Sequence, residues 1–428
     1  MRTRQNAWRS RAGVGFCSAL LLACGGAENR NKPAISSTAG SGNSAAGEDS
    51  AGSENSAGSG NGAGANPGGA GGVGTAGTAG TAGTVSVPNP VVGDCKGLGE
   101  IDKFENITPP GVKQVLNVLV DPVNSGTIYV GTGLQGIFKS TDCGATYSKL
   151  NTGAMADAID SGLQWSMQID PVNPDVLYAG SLYGSDLTLL KSTNAGIDWF
   201  SLFPPGSQVA KIVNNNFTQE VAIDPDPTRH THLVVTFHDV CKDEFAPMCM
   251  GESNDSGTTW RLFKGPVKNW GEDARPHIID DKAFLYVTFG DGAYWTGDNG
   301  ANWEKVANGG NHQVYKTAAG IYYMGYQFHM LQSTDGHIWN KIENSPGGDG
   351  LVGDGERIFT AFRYPRDDKQ PYLTTPENGD GKTWTKLASP EMAKSGAVQL
   401  KYDPGHQLLY SVNVDDGLWR VVTRAKSK

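Results

Sequence analysis

No continuous apolar run in this 428-residue chain is long enough to span a bilayer, which excludes an integral helical membrane protein. The chain also lacks a basic stripe. Its formal charge is -9, from 35 basic and 44 acidic residues, so nucleic acid and anionic lipid are poor electrostatic partners. The first ninety residues have hardly any aromatics or branched aliphatics and are dominated by Gly, Ala, Ser and Thr. Such a segment cannot bury enough surface to fold. Nearly all Trp and Tyr lie after Asp94, so the folding capacity sits in the remaining C-terminal part, which suffices for one large core. No CxxC spacing and no EF-type density of acidic residues occur, which argues against a four-cysteine zinc site and a calcium loop.

At the N-terminus, Arg2, Arg4, Arg9 and Arg11 precede a short apolar stretch from Ala12 to Ala23. A basic region followed by an apolar one too short for a transmembrane helix reads as an export signal. The stretch ends Leu21-Leu22-Ala23-Cys24, which resembles the bacterial lipobox. That resemblance implies cleavage before Cys24, its lipidation, and anchoring by lipid alone. Gly25 after the Cys favours the outer membrane. The chain then divides into a signal (1–23), a disordered Gly/Ala/Ser/Thr-rich tether (24–93) and a folded domain (94–428). As a Gly-rich coil, the tether reaches about 45 Å. Export implies oxidising surroundings, and Cys95, Cys143, Cys241 and Cys249 permit three disulfide connectivities. We favour Cys95–Cys143, which pins the start of the domain to its first repeat, and Cys241–Cys249, which closes a short loop.

The folded part is internally repetitive. One unit runs Val115-Leu-Asn-Val-Leu-Val-Asp-Pro, Thr127-Ile-Tyr-Val-Gly, Gly136-Ile-Phe-Lys, then Ser140-Thr-Asp-Cys-Gly-Ala-Thr-Tyr. The next repeats it from Ser166, and later units start near Glu220, His277, Gln313, Leu351 and Val398. Short alternating apolar runs between Asp-Pro, Asn-Gly and Asp-Gly turns give four strands per unit. That predicts an all-β, seven-bladed β-propeller of four-stranded antiparallel blades. The last unit lacks an outer strand, and Phe104 to Thr108 matches one, so the N-terminal segment is expected to complete the seventh blade and remove an open edge.

The Ser-x-Asp-x-Gly-x-Thr-Trp element around Asp142 recurs around Asp255 and, in part, Asp298. It resembles the Asp-box, or BNR repeat, of sialidases, xyloglucanases, sortilin-type receptors and a plant photosystem II assembly factor. A short carboxylate there accepts backbone N–H bonds across a tight turn, with Gly at positive φ and the aromatic packed between blades. Asp142, Asp255 and Asp298 are therefore expected to be structural rather than catalytic. Two departures restrict what the resemblance implies. The Arg-Ile-Pro motif of sialidases is missing, and xyloglucanases place their acids between two propellers, whereas one is present here.

Chemistry is expected at the mouth formed by loops entering the inner strands and loops joining the second and third strands. Trp165, Glu220, Arg275, His277 and His312 stand before or early in inner strands. Tyr183, His238, Asp239, His329, Arg363 and Tyr364 follow second strands. Convergence of His238, His277, His312 and His329 would suit a divalent metal or general base work; otherwise each caps a strand or bonds a carbonyl separately. Arg275 or Arg363 could neutralise a uronate, and Trp165, Tyr183 and Tyr364 could stack on sugars or simply plug the channel. His230 and His232 are expected to face solvent. The functional expectation is a monomeric surface lipoprotein that recognises or acts on extracellular polysaccharide, lyase-like or glycosidase-like. The alternative is a non-catalytic module for an envelope protein: an adhesin, receptor or assembly factor.

Overall fold

A computed structural model describes residues 91–424 apart from 151, 185–188, 214–216, 268–273, 289–290, 309–312, 327, 363–371, 388–395 and 415. Cys24, the signal and nearly all of the tether lie outside the described residues. Seven four-stranded antiparallel sheets follow one another. Their inner strands are Val115–Val120, Leu163–Ile169, Thr218–Ile223, Arg275–Ile278, Val314–Lys316, Gly350–Gly353 and Gln399–Asp403, which we number blades 1 to 7. The chain is thus a seven-bladed β-propeller, with two short α-helices among the described residues, Ala156–Asp160 and Gln208–Val213. In blade 7 the outermost strand is Glu105–Asn106, paired with Gly417–Val422, and Arg420 bonds Glu105 at 3.0 Å.

There is no single central core. Seven hydrophobic clusters each fill one junction between neighbouring blades, as where Val118, Ile128 and Val130 meet Leu408, Tyr410 and Val412. Both faces of each sheet are therefore buried. The second strands show this most clearly: every residue of Leu233–Phe237 and Phe284–Thr288 is buried. The alternation expected from the sequence survives only where a strand nears solvent, because a sheet packed on both faces favours continuous apolar runs.

The turns joining third and fourth strands repeat one bonding pattern. Ser140 Oγ accepts from Gly144 N, and Asp142 accepts from Thr146 N and Thr146 Oγ1. Ser253–Thr259 and Thr296–Asn302 repeat it. In blade 2 the polarity inverts: Asn194 donates its amide to Asp198. The turn bends through two successive left-handed residues, Cys143 and Gly144 at φ 60° and 89°. Two disulfides, Cys95–Cys143 and Cys241–Cys249, are present.

Where the inner strands meet the channel, polar side chains bond the adjacent blade. Gln399 accepts from Val118 N at 2.9 Å, Ser166 from Val221 N at 2.8 Å, and Gln313 from Leu351 N at 2.8 Å. Asn117 donates to Trp165 O at 2.7 Å. In blades 1, 2 and 7 these residues lie four before the Asp that ends the inner strand, and Gln313 lies four before Thr317. An inner strand has no neighbour on its channel edge, so the side chains supply the acceptors that edge lacks.

Two outcomes follow. Asp255→Ala, which leaves the exposed Thr259 donors to water and the Ser253 hydroxyl free to rotate, should lower stability to urea by about 1 kcal/mol. Gln399→Leu strands the buried Val118 N–H and should cost more, about 1–3 kcal/mol. Equal losses would contradict the edge argument.

Candidate functional site

Successive turns in an antiparallel meander alternate between ends, so the loops into inner strands and the second-to-third loops share one mouth. A cavity of about 490 Å³ follows the inner strands of blades 3, 4, 5 and 7. Glu220, Arg275, His277, Gln313, Lys316 and Lys401 are among the residues lining it. In blades 1 to 3 the inner strand has a register shift just before its polar channel residue, Asn117, Ser166 or Glu220. Bulges of this kind re-aim the side chains that follow them.

Glu220 and Arg275 are 7% and 8% exposed and face one another, Arg275 Nε to Glu220 Oε2, at 3.5 Å. Ser166 Oγ donates to Glu220 Oε1 at 2.9 Å while accepting from Val221 N. Neither Glu220 Oε2 nor Arg275 Nε has a hydrogen-bond partner. Buried polar atoms rarely go unmatched unless a water or ligand meets them. Burial pushes the Glu220 carboxyl up, opposed by Arg275, Ser166 and Lys401. Burial pulls the Lys401 ammonium down, opposed by Glu220 and reinforced by Arg275. Arg275 and Lys401 thus both act on one buried carboxyl, Arg275 from 3.5 Å.

On the rim, Tyr183 OH meets His238 Nε2 at 3.0 Å, and the Tyr183 ring lies 5.2 Å from Phe217 and 5.3 Å from His238. Tyr183 is 37% exposed and sits at φ 55°, a left-handed conformation that costs an aromatic residue roughly 1–3 kcal/mol. The loop after His238 is fixed by the Cys241–Cys249 bond and by Lys242 N donating to Ile212 O of helix Gln208–Val213. His238 N donates to Phe217 O, which ties the rings to blade 3.

The other sequence candidates disperse. His277 lines the channel, whereas His329 packs on Tyr326 at 4.6 Å. Burial and Lys341 hold its imidazole below the usual range, with Glu343 opposing. Among the described residues, His238, His277 and His329 do not gather into a three-ligand set; they belong to blades 3, 4 and 5, His277 within an inner strand. His312, Arg363 and Tyr364 lie outside the described residues. Trp165 packs with the cluster between blades 7 and 1, a structural placement, and the exposed Asp239 accepts from Val240 N. Asp142, Asp255 and Asp298 are occupied by their turns, far from proton transfer.

His232 does not face solvent as expected, and His230 is only partly exposed. His230 bonds Asp170 of blade 2 at 2.8 Å. His232 is 3% exposed between Asp224 and Glu252, with Arg229 on the first acid and Arg261 on the second. Sequence reasoning missed Lys401 and Phe217. Lys401 was detectable: it lies two residues before the strand-ending Asp403, in step with channel-facing Gln399.

No family model and no curated protein matches this chain. Among solved structures, the GH74 xyloglucanase from Xanthomonas campestris is similar at TM-score 0.51 and 16% identity, covering 76% of this chain and 54% of that one. The chain therefore spans about half that enzyme's length. YCF48 bound to D1 peptide is similar at TM-score 0.54 and 13% identity, over 79% of this chain and 100% of that one. The extracellular domain of a hybrid two component system, BT3049 from B. thetaiotaomicron, gives 0.54 and 10%, over 75% and 42%. At these identities the likeness is one of fold.

Burial pulls the His232 imidazole down, but its bonds to Asp224 and Glu252 raise it to about 9. A folded-state value above the unfolded one of about 6.5 gives stability that is complete below that pH and lost as pH rises towards 9. Urea midpoints should fall across this window in the native chain and stay flatter in His232→Gln.

Proposed function

We propose that this protein is an exported, lipid-anchored propeller of the Asp-box type that recognises extracellular polysaccharide at the channel mouth. The observation that carries the reading is the Tyr183–Phe217–His238 rim, fixed by a disulfide and a backbone bond just before the blade 3 inner strand, which itself lines a polar cavity. A flat ring with a hydrogen-bonding tip suits the mixed apolar and hydroxylated faces of a sugar. Pre-ordering it lowers the entropy lost on binding.

The point at which the chain joins the propeller leaves the mouth unobstructed by the segment from Val91 to Cys95. Val91–Val92 pairs with Asn124–Ser125, the turn between the first and second strands of blade 1. His406 Nε2 bonds Gly93 O, and Cys95 is bonded to Cys143 in another turn of that end. The chain therefore joins the propeller at the end opposite the mouth.

Isothermal titration with polysaccharide fragments tests the proposal. A lost stacking ring is worth about 1–1.5 kcal/mol, so Tyr183→Ala should weaken binding by about tenfold. Recognition also predicts that the bound oligosaccharide is recovered intact; shortened chains would show catalysis. No fragment binding to the native chain would refute the reading.

A further inference from the structure

The cavity has an electrostatic character opposite to that of the molecule around it. The chain carries a formal charge of -9, yet Arg275, Lys316 and Lys401 line the cavity against a single carboxylate, Glu220. In a confined, low-dielectric channel such a surplus attracts anions far more strongly than the same charges would on an open surface. The second observation is a buried ion pair whose facing atoms make no hydrogen bond: Glu220 Oε2 and Arg275 Nε face each other at 3.5 Å.

These atoms restrict the chemistry of an occupant. Arg275 presents a planar fork suited to a carboxylate or another oxyanion. Glu220 beside it repels a ligand made only of acceptors, such as sulfate or phosphate, and requires a hydroxyl donor next to the anion. A sugar acid supplies both on one ring: the carboxylate for Arg275 and Lys401, a hydroxyl for Glu220. Ser166 holds Glu220 from the side of blade 2, so the carboxylate is oriented before any ligand arrives.

We infer that the channel takes the uronic acid residues of an acidic polysaccharide, with Arg275 and Lys401 binding the carboxylate and Glu220 a neighbouring hydroxyl. This rests on the proposed recognition of polysaccharide and names its substrate class. Lys316, exposed over the Tyr322 ring at 4.7 Å, adds to the field without touching the pair.

The test is titration of the full chain with an oligogalacturonate and with the same oligomer after its carboxylates are reduced to alcohols. The acidic form should bind about tenfold more tightly, with affinity falling as salt rises, while the reduced form responds little to salt. Lys401→Met should remove that preference and Lys401→Arg retain it. The salt dependence of the native chain reads the same property without any variant. Inorganic sulfate should compete poorly with the oligouronate in the native chain and gain in Glu220→Gln. Equal, salt-independent binding of both oligomers would overturn the uronate assignment and leave polysaccharide recognition standing. Strong competition by sulfate would replace it with a general anion site. Binding of neither oligomer overturns the assignment, and the wider reading then stands or falls with the neutral fragments.

Discussion

An inner strand beside a channel has one edge without a neighbouring strand, and seven such edges must be satisfied before this ring can close. The chain meets that constraint at one register position. Asn117, Ser166, Gln313 and Gln399 bond the adjacent blades from equivalent places, each in the row that also lines or borders the channel. Apolar packing at the seven junctions supplies most of the burial, but it does not specify which side chain faces the channel. The polar row does, and the candidate site is built from it.

Glu220 is where structure gives way to chemistry. It occupies the same register position as the stitching residues, yet it is a carboxylate and leaves Oε2 unmatched. The following blade offers Pro276 at that level, which has no N–H to give. Arg275 then pairs with that acid at 3.5 Å, and Lys401 lines the same cavity. A position used elsewhere for neutral bonding has become charged and incompletely satisfied, an arrangement that costs stability in an empty channel. The rim adds a second such cost, with Tyr183 held in a left-handed conformation and its ring presented to solvent.

The repeat was legible because each blade must reuse the same turn. Asp142, Asp255 and Asp298 recur with a Gly two residues later, and the inner strands begin within three residues of the unit starts read from sequence. The mouth was less legible. Glu220, Arg275 and His277 were recognised, since inner-strand starts must border the channel. Whether the histidines would converge or act separately was left open by the sequence, and among the described residues His238, His277 and His329 do not gather. His232 shows the same limit: a turn rich in Asp and Pro looks solvated, but a Glu on a neighbouring strand can draw its histidine inward. Lys401 was overlooked because an isolated Lys in an apolar strand resembles a surface residue until its register is counted.

The central claim is that recognition occurs in the channel and at the Tyr183 rim, with the opposite turns serving only as structure. Hydrogen–deuterium exchange on the full chain, with and without saturating oligogalacturonate, tests this directly. The account predicts slower exchange in 218–223, 275–278 and 399–403 and in the loops holding Tyr183 and His238. The turns around Asp142, Asp255 and Asp298 should be unchanged. Protection concentrated in those turns, with the inner strands unaffected, would place the ligand on the wrong end of the propeller and contradict the account.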